Sequence, residues 1–384
     1  MKANNNELTK NLSRKGKWYN PNSYTPTDSA AAFIIIVLLF LILSFFLPNA
    51  VSYLYKNGIV KDYYFLLLVS GIITQSLIFS VAFLFSKIRH VSLFSGGGYK
   101  YSFNIVDILF AVILIMGIAL LLSGTHFKFA DDVYRTVYGL SFDEYNAQVT
   151  LPEIKNPLWA FLYIYVLVPL APAICEELLF RGVIMRGFEK YGGVVCALLS
   201  ASMFALMHGN FAQLILQFSG GLAIAAVTLI TKNFLIGAAM HFANNMFTTF
   251  VSVQGAVFED FAVNASYLID AMTIIIGIVF IAIGVLFYSK IAIRNYKLSI
   301  QGKRIQSLDN KHYAIISTKD RLNSDYEKVD SSAIDYTELS SNDDAMIFAD
   351  KRFRKVNTFR CTPLEFVLIC VGLVLAVTAI FLDL

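Results

Sequence analysis

The chain is short of charge. Asp, Glu, Lys and Arg make up 15% of its 384 residues and hydrophobic residues 57%, where a soluble domain is about one quarter charged. A globular core cannot absorb that much apolar sequence, so a soluble domain is excluded and a polytopic membrane protein is the first reading. Cysteine is scarce as well. Cys175, Cys196, Cys361 and Cys370 stand at spacings that fit neither a zinc pattern nor a disulfide framework. The net charge is only +4 and no dense basic stripe is present, so no nucleic-acid partner is expected. There is no fixed-period repeat and no low-complexity tract. Histidine is scarce too: there are five, and two of them, His208 and His241, lie inside apolar segments. Ionisable groups in a bilayer are expensive and usually line a site.

About 20 mostly apolar residues span a bilayer as a helix. That length predicts spans near 30–47, 63–86, 104–123, 157–175, 193–209, 211–231, 233–253 and 267–288, and a ninth at 364–382. Each must be helical, because an unpaired backbone group in lipid costs several kcal/mol. The predicted fold is therefore all-α: a polytopic membrane helix bundle of about eight core transmembrane helices plus a ninth, C-terminal span. The stretch 30–47 reads as a retained first helix. It is long for the apolar core of a cleaved signal, and Pro48-Asn49-Ala50 is a poor cleavage site.

Four regions follow. Residues 1–29 form a polar N-terminal tail, 30–288 a transmembrane bundle with its motif core at 157–253, 289–362 a polar linker, and 363–384 the last span. The linker mixes charges of both signs with Ser, Asn and Tyr. It reads as a solvated, partly disordered segment, or alternatively as a small regulatory or docking element. Lys and Arg collect in the N-terminal tail, at Lys87 and Arg89, at Arg186 and Lys190, at Lys232 and after 289, while the 124–156 loop is acidic. The positive-inside rule then puts the N-terminus, the linker and the nearby Glu176-Glu177 pair toward the cytoplasm. Of the other acids in apolar sequence, Asp107, Asp270 and Glu365 read as interfacial or packing residues.

Three segments carry polar elements with a four-residue offset, which places both members on one helix face. In Cys175-Glu176-Glu177-Leu178-Leu179-Phe180-Arg181, Pro169 and Pro172 should loosen the helix, which restarts beyond Pro172. Glu177 and Arg181 can pair. Glu176 points roughly 100° away, has no local cation, and suits a general base. In the second segment Phe204 can pack beside His208. In the third, His241 and Asn245 project together and can stabilise an oxyanion. Taken singly, each element also has a structural reading: an interfacial acidic cap, a capped histidine, and inter-helix hydrogen bonding. Independent structural roles do not predict a base, two imidazoles and an amide as a set. Ser219, Gly220, Gly221 and Gly237 would let the helices converge.

The pattern Glu176-Glu177-x-x-x-Arg181, Phe204-x-x-x-His208, His241-x-x-x-Asn245 resembles the CAAX protease and bacteriocin-processing family, including the type II CAAX prenyl endopeptidases. All three motifs match in order, over about residues 157–253. The resemblance implies an intramembrane endopeptidase. Its substrate would be a peptide bond near the C-terminus of a membrane-anchored protein, or one in a small hydrophobic peptide. Carried over residue by residue, Glu176 resembles the water-activating group assisted by His208, and His241 and Asn245 resemble the oxyanion pair. Glu177 and Arg181 resemble supports, and Phe204 the partner of His208.

The resemblance also raises a metal. A catalytic zinc wants three protein ligands and a water, and Glu176, His208 and His241 would be that set. No His-Glu-x-x-His helix is present, however, and Asn245 is a poor zinc ligand. A metal-free site uses every motif residue, so no cofactor is favoured. Two other classes use the same residues differently. A non-catalytic scaffold or bacteriocin self-immunity protein would act by binding. A proton-coupled transporter would use Glu and His as a relay, but no matching interrupted helix appears in the first half.

Overall fold

In the computed structural model the described residues are 24–91, 93, 104–141, 154–210, 213–255, 272–297 and 361–382. They form nine helices: α1 Pro26–Lys56, α2 Tyr63–Arg89, α3 Ile105–Tyr138, α4 Pro157–Tyr191, α5 Gly193–Met207, α6 Leu214–Thr231, α7 Phe234–Gly255, α8 Met272–Lys297 and α9 Pro363–Leu382. The fold is an all-α bundle. Most of the expected tail (1–29), most of the linker (289–362) and Asp270 lie outside the described residues.

Local chemistry starts these helices where they start. Thr25 opens α1 with a capping box. Its hydroxyl accepts from the Asp28 amide (3.3 Å), and Asp28 accepts in turn from the Thr25 amide (2.7 Å). Asp62, Asn104 and Asn156 cap α2, α3 and α4 through their side chains, and Pro157 sits at the first turn of α4.

Three features differ from the sequence expectation. Among the described residues all nine expected spans are helices, and six of them are long and apolar enough to cross a membrane by length and composition alone. The α5 helix has only 15 residues, roughly 22 Å at 1.5 Å per residue, and so ends inside a hydrocarbon layer of about 30 Å. The apolar part of α9, Pro363–Thr378, is also short. Second, the loop expected from 124 is helical as far as Tyr138 and stops at Gly139, which takes a left-handed φ of 70°. The apolar run measures the bilayer; the helix continues beyond it. On the polar extension Arg135 and Asp131 pair at 2.7 Å, one turn apart.

Third, the α4 helix does not break at Pro169 and Pro172. It runs without interruption from Pro157 to Tyr191. Wide i→i+5 turns at Leu162–Leu167 end just before Pro169, Pro172 sits within the α-helical stretch Val168–Glu177, and a second set of wide turns follows at Leu178–Ile184. A full break would leave several backbone groups unpaired in lipid, whereas a wide turn keeps nearly all of them bonded. Such turns recur at functional sites.

The α4 helix is the axis of the core. Its Leu179, Phe180, Val183, Ile184 and Phe188 are fully buried, in one apolar cluster with Phe33 and Ile36 of α1 and Ile78 and Ala82 of α2. A second cluster joins α3, α6, α7 and α8 through Ile115, Ile224, Met240 and Tyr288. Gly187 is where the first turn of α1 meets α4. A Cβ there would collide with the Ser29 hydroxyl and the Thr25 carbonyl. Gly187→Ala is expected to lower stability by about 1–3 kcal/mol, because a backbone carbonyl cannot step aside. Thermal unfolding of the detergent-solubilised protein checks this.

Charged ends gather on one side of the bundle. Arg89, at the end of α2, donates to both oxygens of Asp28 in α1 (2.7 and 2.8 Å). Lys190 and Tyr191, at the end of α4, hold Glu365 of α9. Lys232, after α6, reaches Glu189 (3.5 Å), and Asn295 of α8 donates to the Ile230 carbonyl (2.8 Å). Among the described residues, the basic helix ends at Arg89, Lys190 and Lys232 therefore share a face. Glu365 is more than a packing residue, since it completes a capping box with Thr362 and ties α9 to α4. Asp107, in the first turn of α3, receives the Tyr288 hydroxyl on its backbone carbonyl (2.6 Å).

Candidate active site

Four helices contribute side chains to one buried cluster. Glu176, Glu177 and Arg181 come from α4, Phe204 and His208 from α5, His241 from α7 and Gln75 from α2. Glu176 lies about 15 residues before the basic end of α4, roughly 22 Å along the axis, and so deep in the bundle.

Arg181 is completely buried. Its Nη1 lies 2.8 Å from Glu177 Oε1, its Nη2 donates to the Gly221 carbonyl of α6 (3.0 Å), and its guanidinium stands 4.8 Å from the centre of the Phe204 ring. A buried charge needs partners of this kind, since an isolated one is prohibitively costly. Glu177 Oε1 also accepts from His241 Nδ1 (2.9 Å). A carboxylate can only accept, so Nδ1 carries the proton. The arrangement orients the ring and turns Nε2 to Glu176, whose Oε2 is 3.8 Å away. That distance is too long for a direct hydrogen bond; a water joining the two groups would bridge them from one side.

His208 closes α5. Its Nδ1 donates to the Phe204 carbonyl (2.8 Å), leaving Nε2 as the remaining ring nitrogen, and the ring is within electrostatic reach of Glu176, His241 and Arg181. Phe204 packs edge-on against His208 (4.8 Å between centroids) and also against His241 (5.5 Å) and Phe180 (5.2 Å). It thus spaces both imidazoles, not His208 alone. Asn245 lies one turn beyond His241, half-buried. Among the described residues no hydrogen bond joins its side chain to the cluster.

Close helix approach makes this assembly fit. A Cβ on Gly237 of α7 would stand 2.5 Å from Thr228 Oγ1 and 3.4 Å from Glu177 Oε2, and one on Gly221 would meet Phe204 at 3.0 Å. Gly220 has ordinary room. The sequence reading missed Gln75, whose Nε2 donates to Glu176 Oε1 (3.2 Å). The signal was there: Thr74-Gln75-Ser76 is a polar run inside an apolar helix, open to the argument applied to the histidines.

Residues 156–247 match the family model of the Rce1-like type II CAAX prenyl endopeptidases. The Rce1-like segment contains all three motifs and extends from the start of α4 into α7; Gln75 and helices α1–α3, α8 and α9 lie outside it. No curated protein and no solved structure matches the chain. The Rce1-like match points to a membrane protease, a hydrolase. Together with the six candidate spans it makes the chain an integral, multi-pass membrane protein whose surroundings include the lipid bilayer.

Among the described residues no three His, Cys, Asp or Glu side chains are gathered as a ligand set. Glu177 and a backbone carbonyl engage Nδ1 of His241 and of His208, which leaves Nε2 of each ring open, as it also is in a metal-ligating histidine, and Gln75 engages one oxygen of Glu176. What remains is a carboxylate oxygen, Glu176 Oε2, buried and without a hydrogen-bond partner among the described residues, facing an imidazole nitrogen. Such a pair can hold and deprotonate water.

Proposed function

We propose that this protein is a metal-free intramembrane endopeptidase in which Glu176 activates water. Its substrate is a peptide bond near the C-terminus of a membrane-anchored protein of the CAAX type, or one in a small hydrophobic peptide, reached from the cytoplasmic side. The observation that carries this reading is the 3.8 Å gap between Glu176 Oε2 and His241 Nε2, backed by the buried Glu177–Arg181 pair.

Glu176 takes a proton from water as the water oxygen attacks the scissile carbonyl carbon. His208, held through Nδ1, offers Nε2 to the same proton traffic. The carbonyl oxygen becomes an oxyanion, which His241 and Asn245 stabilise. For His241 to donate through Nε2 while Nδ1–H is bonded to Glu177, the ring must carry both protons. Glu176, Glu177, Arg181 and a doubly protonated His241 then sum to zero charge, which keeps the buried cluster tolerable in lipid. Collapse of the intermediate breaks the C–N bond. The proton held by Glu176 passes to the leaving nitrogen, giving a carboxylic acid and an amine, and transfer of the acid's proton to the amine leaves a carboxylate and an ammonium.

The test is cleavage of a farnesyl-cysteine peptide with a CAAX terminus by the purified, lipid-reconstituted chain. His208→Ala and His241→Ala are each expected to lower kcat about 10²- to 10⁴-fold while substrate binding persists. If cleavage survives both changes, the protein acts by binding and the proposal fails. Metal analysis accompanies the assay: stoichiometric zinc whose removal abolishes cleavage would overturn the metal-free chemistry.

A further inference from the structure

Gln75 lies in α2, outside the segment that matches the endopeptidase family, and belongs to none of the three motifs. Its amide nitrogen donates to Glu176 Oε1 at 3.2 Å. Its own oxygen is buried and has no hydrogen-bond partner among the described residues. A glutamine placed to glue helices together would have both ends satisfied, because an unpaired buried acceptor is costly. Here one end is engaged by Glu176 and the other is left over.

We infer that Gln75 is a positioning residue of the active site: by engaging Glu176 Oε1 it reserves Oε2 for the water beside His241 Nε2. The inference rests on the endopeptidase reading above. The terminal torsion of a glutamate is broad and two-fold, so an unrestrained carboxylate presents either oxygen at a range of angles. Gln75 removes that freedom from one side, as Glu177 does for His241 from the other. The base and the imidazole are thus each held by a neighbour: the base by a neutral amide from α2, the imidazole by a carboxylate from α4. A neutral donor leaves the carboxylate basic, which a cation at the same place would not.

Gln75→Leu removes the donor with little change of volume. With the full-length protein in nanodiscs and the farnesyl-cysteine peptide as probe, kcat is expected to fall about 10- to 100-fold with KM within twofold of wild type and the unfolding midpoint retained. In a Glu176→Gln background, Gln75→Leu should add no further loss. Wild-type kcat in Gln75→Leu, or losses that multiply in the double variant, overturns the inference. Gln75→Met serves the same purpose if the Leu variant does not fold. A readout free of activity separates this inference from the proposed function. The Glu176 carboxylate band, identified in the infrared by its loss in Glu176→Gln, should shift in Gln75→Leu. An unmoved band overturns the role of Gln75. A shifted band in a protein that cleaves nothing upholds the contact and removes only the endopeptidase reading.

Discussion

Glu176→Gln is expected to lower peptide cleavage by about 10²- to 10⁴-fold, the range set by loss of a general base, and to leave the fold intact. Glutamine keeps the shape of the side chain and can still meet Gln75, but its amide cannot take a proton from water. The effect should fall on kcat with little change in KM, because Glu176 acts on the water and not on the remote parts of the substrate. Glu176→Asp should lie between the two, since the carboxylate survives but retreats from His241 by one methylene. Steady-state kinetics on the farnesyl-cysteine peptide, with binding followed separately, measure both. Unchanged cleavage in Glu176→Gln would remove the centre of the mechanism.

Arg181→Leu has the largest expected effect on stability. Arg181 and Glu177 have side-chain exposures of 0% and 1% and pair at 2.8 Å. Removing one member leaves the other charge buried and uncompensated, which costs about 3–5 kcal/mol. The loss also frees the Gly221 carbonyl and the face of Phe204, so α4, α5 and α6 loosen together. The double variant Glu177→Gln with Arg181→Met should recover most of that stability, because a neutral, space-filling pair has no stranded charge. Its cleavage rate should stay low: a glutamine oxygen can hold His241 Nδ1–H but does not stabilise a doubly protonated ring. Unfolding midpoints and rates for the single and double variants separate these effects. If the double variant is no more stable than Arg181→Leu, the buried pair is not the source of the cost.

The Glu177–Arg181 contact was legible because both ends lie on one helix four residues apart, where helical geometry alone brings side chains together. The Phe204–His208 neighbourhood was legible for the same reason. Partners from different helices were not. Nothing in the local pattern says that Gln75 meets Glu176, that Phe204 also faces His241 and Arg181, or that Glu365 completes a cap and holds the end of α4. Prolines misled in one respect. Wide turns flank the stretch that holds Pro169 and Pro172, but the lipid requirement for paired backbone keeps α4 continuous. The apolar ruler likewise found the membrane part of α3 and missed its polar extension, because hydropathy reports the solvent around a helix and not where its hydrogen bonds end.

Composition and periodicity by themselves determined the class of this protein, an all-α bundle in lipid, and the grouping of basic segments on one side. Both follow from the cost of moving charge and unpaired backbone into hydrocarbon, which every stretch of sequence registers independently. Only the tertiary structure decided which groups face one another: that Glu177 is shared by Arg181 and His241, that Glu176 is held by an amide from α2, and that a 3.8 Å gap remains between a carboxylate oxygen and an imidazole nitrogen. Those distances depend on how four helices pack, at glycines such as Gly221 and Gly237, and packing is a property of pairs of surfaces that no single segment contains.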